Sequence, residues 1–181
     1  MKTAEEMLNY SMENGFGEGI TKGTALRHFK LIEENLQSDE TVLMTFIGLL
    51  NYEGMTKHEH HHAYALTNKR FIIARKKLIG QSVRTVLLNM LNDVNLRTHM
   101  VYGVIEFDTM KETFNVAVAK KHATNIQENI QQHLISLNNS SGDNIKQSDP
   151  LEDLERFKEL ADKGVITAEE FEAKKKQILG L

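Results

Sequence analysis

His60–Lys77, HHHAYALTNKRFIIARKK, is the stretch whose reading decides the fold. It reads as a strand, a two-residue turn and a second strand. Tyr64 and Leu66 alternate with small or polar residues on the outgoing arm, and Phe71, Ile72, Ile73 and Ala74 run together on the return. Asn68-Lys69 is the expected turn, because Asn tolerates the positive φ that tight hairpin turns need. The same region is basic. No acid occurs from His60 to Asn92, whereas Lys69, Arg70, Arg75, Lys76, Lys77 and Arg84 all fall inside it.

Further strands extend from this hairpin in both directions. Upstream, Thr41–Leu50 (TVLMTFIGLL) is a short apolar run whose Thr, Val, Phe and Ile favour a buried strand. Downstream, Gln81–Leu88, Asn92–His99, Val101–Asp108 and Thr113–Ala119 each carry the two-residue alternation of a strand, with Thr109–Glu112 as a turn. Six or seven short strands on short turns imply an antiparallel meander, closed into a barrel or split into a sandwich. The period then changes. Ile126, Ile130, Leu134 and Leu137 mark an amphipathic helix over Lys120–Leu137, with Thr124 and Gln127 as a capping box. One helix after a run of strands suits a plug over an open barrel end.

Two segments precede the strands. Leu26, Phe29, Ile32 and Leu36 give Thr24–Gln37 a helical apolar face. Residues 1–23 read as a mobile lead-in: a short helix over Met1–Met12, then the glycine-rich GFGEG. The glycines lack the Lys-Ser/Thr ending of a phosphate loop, so no nucleotide role is expected.

Composition limits the options. The 181 residues suit one domain plus an appendage, and 40% hydrophobic with 26% charged residues suits a soluble globular chain. A net charge of −3 excludes a global basic field, so any anion site must be local. Without cysteine there is no disulfide, thiolate metal site or thiol nucleophile. The N-terminus has no apolar signal region, and no run approaches the roughly 20 apolar residues of a spanning helix. The expected location is the cytoplasm, with membrane contact, if made, peripheral and at the inner face.

Asn138–Ser148 (NNSSGDNIKQS) reads as a flexible linker ending at Asp149. The tail has clear helix grammar. Asp149-Pro150-Leu151-Glu152 is a capping box with Pro in the first turn, and Gly164 is a stop. Thr167–Glu170 is a second capping box, stapled by Ile166 and Phe171. A helical hairpin of about 30 residues is below the size of a self-sufficient core, so 150–181 is expected to dock on something. Leu154, Phe157, Ile166, Phe171 and Ile178 are the expected oligomer or partner contacts.

The tail resembles a SHOCT module over Pro150–Leu179, on Gly164-Val165-Ile166-Thr167, Glu170-Phe171 and Lys174-Lys175. Residues 24–137 resemble the bacterial pleckstrin-homology-like family of the YokE type, on Phe46-Ile47-Gly48, Tyr64–Arg70 and the closing helix. These resemblances imply a seven-stranded PH-like barrel capped by a helix (an α+β, mainly β fold) with no enzymatic activity and no cofactor. They also imply self-assembly or partner binding, with the tail serving oligomerisation or partner contact.

Three candidate sites follow from residue types. Lys69, Arg70, Arg75, Lys76, Lys77 and Arg84 could face an anionic membrane or another polyanion, although alternation divides them between two faces. Nucleic acid is disfavoured, since the nearby aromatics Tyr64 and Phe71 read as core. His58, His60 and His62, spaced by two, could share a strand face and hold Zn²⁺ or Ni²⁺; a polar strand edge is the plainer reading. No catalytic constellation emerges: Asp93, Glu106 and Asp108 lie on different predicted strands. The leading expectation is a non-enzymatic interaction module, with peripheral membrane binding and histidine-held metal as alternatives.

Overall fold

The quoted stretch forms the expected hairpin of β2 (His61–Thr67) and β3 (Arg70–Lys76), paired from Ala63↔Ala74 to Leu66↔Phe71. Its turn works differently from the expectation. Among the described non-glycine residues only Asn51 and His60 have positive φ. Asn68 acts through its side chain instead: Oδ1 accepts the Thr41 N–H at 2.9 Å, while the Thr67 hydroxyl accepts the Arg70 N–H at 2.9 Å. The computed structural model describes residues 1–142 and Lys158. Contacts divide the chain into Met1–Ile135 and Ser136–Leu181, and the first unit is the subject below.

The remaining elements are α1 (Ala4–Glu13), α2 (Lys22–Asn35), β1 (Val42–Leu50), β4 (Gln81–Leu87), a 3-10 turn at Leu88–Met90, β5 (Leu91–Thr98), β6 (Tyr102–Thr109), β7 (Thr113–Ala119) and α3 (Lys120–Gly142). The strands make one seven-stranded antiparallel sheet in the order β4-β3-β2-β1-β7-β6-β5. The seam between β1 and β7 is short. It holds at Leu49↔Ala117 and Leu50↔Val116. Beyond that the Ile47 N–H turns to the Phe16 carbonyl at 2.8 Å, and the sheet parts there into a curled half-barrel.

The concave face is filled by aromatics. Phe46 stacks on Tyr64 at 4.7 Å between ring centroids, Tyr64 on Phe71 at 5.9 Å, Phe71 on Phe107 at 4.9 Å, and Phe107 on Phe114 at 4.9 Å. Ile126 and Ile130 of α3 close this core, as a plug should. Each ring or branched chain removed from water contributes about 1.5–3 kcal/mol. The convex face of β1–β3 is covered too. Ile47, Ala63, Ala65, Ile72 and Ala74 pack under Met7 of α1 and Ala25, Phe29 and Ile32 of α2. Burial on both faces explains why Phe71–Ala74 is continuously apolar rather than alternating.

The lead-in is therefore part of the packed layer, not a loose end. Thr3 and Glu6 form a reciprocal capping box on α1, and Ala4, Met7 and Ser11 are buried. Ser11 Oγ lies 2.8 Å from Thr45 Oγ1, which donates to the Met7 carbonyl at 2.8 Å. That network fixes α1 to β1. At the other end, α3 begins at Lys120, so Thr124 lies inside it and is not its cap. It continues to Gly142, past Leu137, where the linker was expected to start. The expected tail hairpin and its contact residues Leu154, Phe157, Ile166, Phe171 and Ile178 lie outside the described residues.

Glu40 ties the helices to the hairpin. Its carboxylate is fully buried and accepts Arg70 Nε at 2.9 Å, Arg70 Nη2 at 2.8 Å, the Thr67 hydroxyl at 2.8 Å and the Gln37 N–H at 3.0 Å. Burial pushes its pKa up, but Arg70 and the other donors more than offset this, and the net direction is down. Glu40→Gln leaves Arg70 poorly compensated, so it should lower unfolding free energy by about 3–5 kcal/mol in a urea titration. Tyr64 presents the opposite case: its hydroxyl is buried with no partner. Tyr64→Phe should leave the unfolding free energy unchanged or raise it by up to about 1 kcal/mol in the same titration.

Candidate docking rim

In an antiparallel meander, alternate connections share an end. The β1–β2, β3–β4 and β5–β6 connections and the start of α3 therefore lie at one rim of the half-barrel. Two of these connections are built alike. The Lys77 N–H donates to the Gly80 carbonyl at 3.2 Å, and the His99 N–H to the Tyr102 carbonyl at 2.8 Å. Each closure puts two apolar residues at the centre of a turn, where small or polar residues are usual. Leu78 is 102% and Ile79 89% exposed; Met100 is 92% and Val101 57% exposed. Met55 of the β1–β2 connection is also exposed. Scattered exposed apolar residues are ordinary, and Leu87, Met110 and Ile135 are of that kind, but Met55, Leu78, Ile79, Met100 and Val101 share one rim.

Cations flank the tips. Arg75, Lys76 and Lys77 precede Leu78, and Arg97 and His99 precede Met100. Arg97 pairs with Glu106 at 2.8 Å, Lys57 with Glu53, and Lys121 with Glu18 at 2.5 Å. Among the described residues neither Lys76 nor Lys77 is in an ion pair; Lys76 Nζ donates to Gln81 Oε1 at 3.0 Å. A cavity of about 520 Å³ opens beside the rim where β1 leaves β7, lined in part by Gly19, Ile47, His61, Tyr102 and Lys121.

The six basic residues singled out from sequence divide into two groups. Arg75, Lys76 and Lys77 lie at the rim. Lys69 pairs with Asp39 at 2.6 Å, Arg70 holds Glu40, and Arg84 reaches Glu112 at 2.8 Å with its guanidinium 4.5 Å from the Phe114 ring centroid. These last three are tied up in holding the fold together. The reading from sequence missed Leu78, Ile79, Met100 and Val101. Their signal was present: apolar pairs sit where the chain has to turn.

The histidines separate as well. His62 is buried, with Nδ1 3.1 Å from the His60 carbonyl oxygen; the His60 N–H donates to His58 Nδ1 at 3.0 Å, and the His58 ring lies against Tyr52. Among the described residues no three His, Asp or Glu side chains are grouped to hold a metal ion. Asp93 accepts the Val94 N–H and Asp108 the Thr113 hydroxyl, so both serve strand structure. A further buried histidine, His28, accepts the Lys76 N–H on Nδ1 at 3.1 Å, which requires the unprotonated atom.

Burial, and then the charges of neighbours including Arg75, lower the His28 pKa from 6.5 to about 4. Burial likewise lowers His62 from 6.5 to about 4, against the hydrogen bond to His60. Between those values the unfolded chain takes up protons that the folded chain refuses. Stability present at neutral pH is therefore lost as pH falls through that window, by about 3 kcal/mol at most for each histidine. Thermal melts between pH 7 and 4 should show the fall, and His28→Gln should make it shallower.

A family model described as a bacterial PH domain matches residues 36–132, and one described as a short C-terminal domain matches residues 152–179. Such domains are typically non-catalytic binding modules. No curated protein matches the chain. Among solved structures it is similar to a DUF1696 family protein with a pleckstrin-homology domain from Shewanella loihica, at 15% identity and TM-score 0.40, covering 58% of this chain and 91% of that one. It is also similar to the hSac2 domain from human phosphoinositide phosphatase Sac2, at 11% identity and TM-score 0.44, covering 62% and 79%. A third is the C-terminal domain of an unknown protein from Leishmania infantum, at 9% identity and TM-score 0.43, covering 63% and 97%. The first family model spans more than half of the sequence, and the chain belongs to the bacterial PH domain family.

Proposed function

We propose that this chain is a non-enzymatic interaction module that docks peripherally on an anionic membrane through the hairpin rim, while the 150–181 tail serves oligomerisation or partner contact. The observation that carries the membrane reading is the pair Leu78-Ile79, fully presented at a turn and preceded by Arg75, Lys76 and Lys77. Met100-Val101 adds a second exposed apolar pair at the neighbouring turn, where Arg97 is already paired with Glu106. A bilayer interface offers apolar depth and negative charge together, and this rim complements both. Among the described residues no helix is long and apolar enough to cross a membrane, so attachment would rest on such tips.

Burying Leu78 and Ile79 contributes about 3–6 kcal/mol, and each nearby Lys or Arg about 1 kcal/mol at an anionic surface. One rim would bind reversibly, and several rims joined in an oligomer would bind far more tightly. That gives the tail a part in the same function. The narrower YokE-type assignment and a cytoplasmic place at the inner membrane face belong to this reading; they rest on Phe46-Ile47-Gly48, Tyr64–Arg70 and the exposed rim.

Vesicle flotation tests it. The full chain should float with vesicles containing acidic phospholipid and stay down with zwitterionic ones. Leu78→Ser with Ile79→Ser should weaken binding at least tenfold, about 1.4 kcal/mol. Lys76→Glu with Lys77→Glu should remove the dependence on acidic lipid. Equal recovery of all variants, or none of the wild type, would sink the proposal.

A further inference from the structure

The sheet has two outer edges, and they are treated differently. At β5 the edge is blocked. Pairing with β6 is interrupted between Leu91 and Asp93. The outward Val94 N–H is taken by the Asp93 carboxylate at 2.8 Å, and the Val94 carbonyl accepts Gln127 at 3.0 Å and Gln131 at 3.2 Å, both from α3. A bulge and side-chain covers are standard means of preventing strand addition.

The β4 edge has none of these. Its pairing with β3 runs unbroken from Arg70↔Leu87 to Lys76↔Gln81. The flanking bonds, Lys77 N–H to Gly80 and Leu88 N–H to Lys69, fix the phase. Even-numbered residues of β4 bond to β3, and Gln81, Val83, Thr85 and Leu87 point their N–H and C=O groups outward. Among the described residues nothing bonds to those outward groups. A cavity of about 230 Å³, lined in part by Thr85, Leu87, Met90 and Thr109, separates the edge from the β6–β7 turn.

We infer that this edge pairs with the same edge of a second copy, antiparallel, about a two-fold axis at Thr85. The side chains select both the partner and the register. Centring on Thr85 sets Thr85 against its own copy and Val83 against Leu87 of the second chain, two pairs that suit a β surface. It also sets Arg84 across from Val86 of the second chain. Shifting the axis to Arg84 would oppose two arginines directly, which is destabilising. Arg84 is the one charged residue of the strand and is already neutralised by Glu112 of its own chain. The edge itself thus carries no net charge to repel a copy, and Leu87, 47% exposed, gains cover. This pairing needs no lipid and stands apart from the membrane reading.

The chain has no cysteine, so Thr85→Cys introduces a single thiol. Across the axis the two Cα atoms would lie about 5.5 Å apart, inside the disulfide range of about 4.4–6.8 Å. Under mild oxidation of the full chain, Thr85→Cys should cross-link at least tenfold faster than Thr98→Cys on the guarded edge. Thr85→Pro removes only an outward N–H, so β3–β4 pairing survives while the new ladder is blocked. In lipid-free sedimentation it should weaken self-association at least tenfold with an unchanged thermal melt. Thr85→Lys, which opposes like charges at the axis, should do the same and serves if the proline variant fails to fold. Cross-linking no faster than the Thr98→Cys control would overturn the inference. So would self-association untouched by a folded Thr85 variant, whether tail contacts or no contacts account for it.

Discussion

Packing of five aromatic rings on the concave side of the sheet is the constraint from which the rest follows. Phe46, Tyr64, Phe71, Phe107 and Phe114 come from five different strands, and their stacked contacts hold the two ends of the meander around one core. A sheet bent around that column cannot close evenly, and the β1–β7 seam gives way where the Phe16 carbonyl takes the Ile47 N–H. The up-and-down strand order puts three connections at one rim and leaves β4 and β5 as edges. Interiors of small barrels are filled by side chains rather than ligand, and this one is closed further by α3. The surfaces left for recognition are accordingly the rim and the edges.

Much of this arrangement was legible in the sequence. Alternation in Gln81–Leu88 and Thr113–Ala119, and the β-formers of Thr41–Leu50, lead to six or seven strands and a capping helix, because a half-buried strand must alternate, and the family resemblance implies seven. Asn68 marks the turn without a positive φ: its side chain ties the corner to Thr41, and the Thr67 hydroxyl closes it. Residues 1–23 carry both signals: the glycines around Phe16 point to a loose segment, whereas the Thr3–Glu6 cap and Ala4, Met7 and Ser11 at helical spacing point to the packed helix that forms.

The site was less legible, and the reason is physical. Charge can be counted along a chain, but ion pairing is a property of space. Glu40, Asp39 and Glu112 are distant in sequence from Arg70, Lys69 and Arg84, so nothing local showed that half of the basic segment was engaged. The exposed tips posed the converse difficulty. That Leu78 and Ile79 stay uncovered at the tip of the Lys77–Gly80 turn, on the same rim as Met100 and Val101, is a property of the fold and not of the local sequence. His58, His60 and His62 have strand spacing, yet the left-handed φ of His60 interrupts the alternation that would have lined them up.

The two glutamines that α3 extends to Val94 give that helix a second office beyond plugging the core. With one edge sealed, strand addition ends when two chains have met. Were α3 lost, by proteolysis or a premature stop, the Val94 carbonyl would be uncovered, while the break at Leu91–Asp93 and the Asp93 bond to the Val94 N–H would remain on that edge. A truncation reaching back through Gln131 and Gln127 would thus thin the guard on that edge, and a self-limiting pair would rest on the break at Leu91–Asp93 and on Asp93.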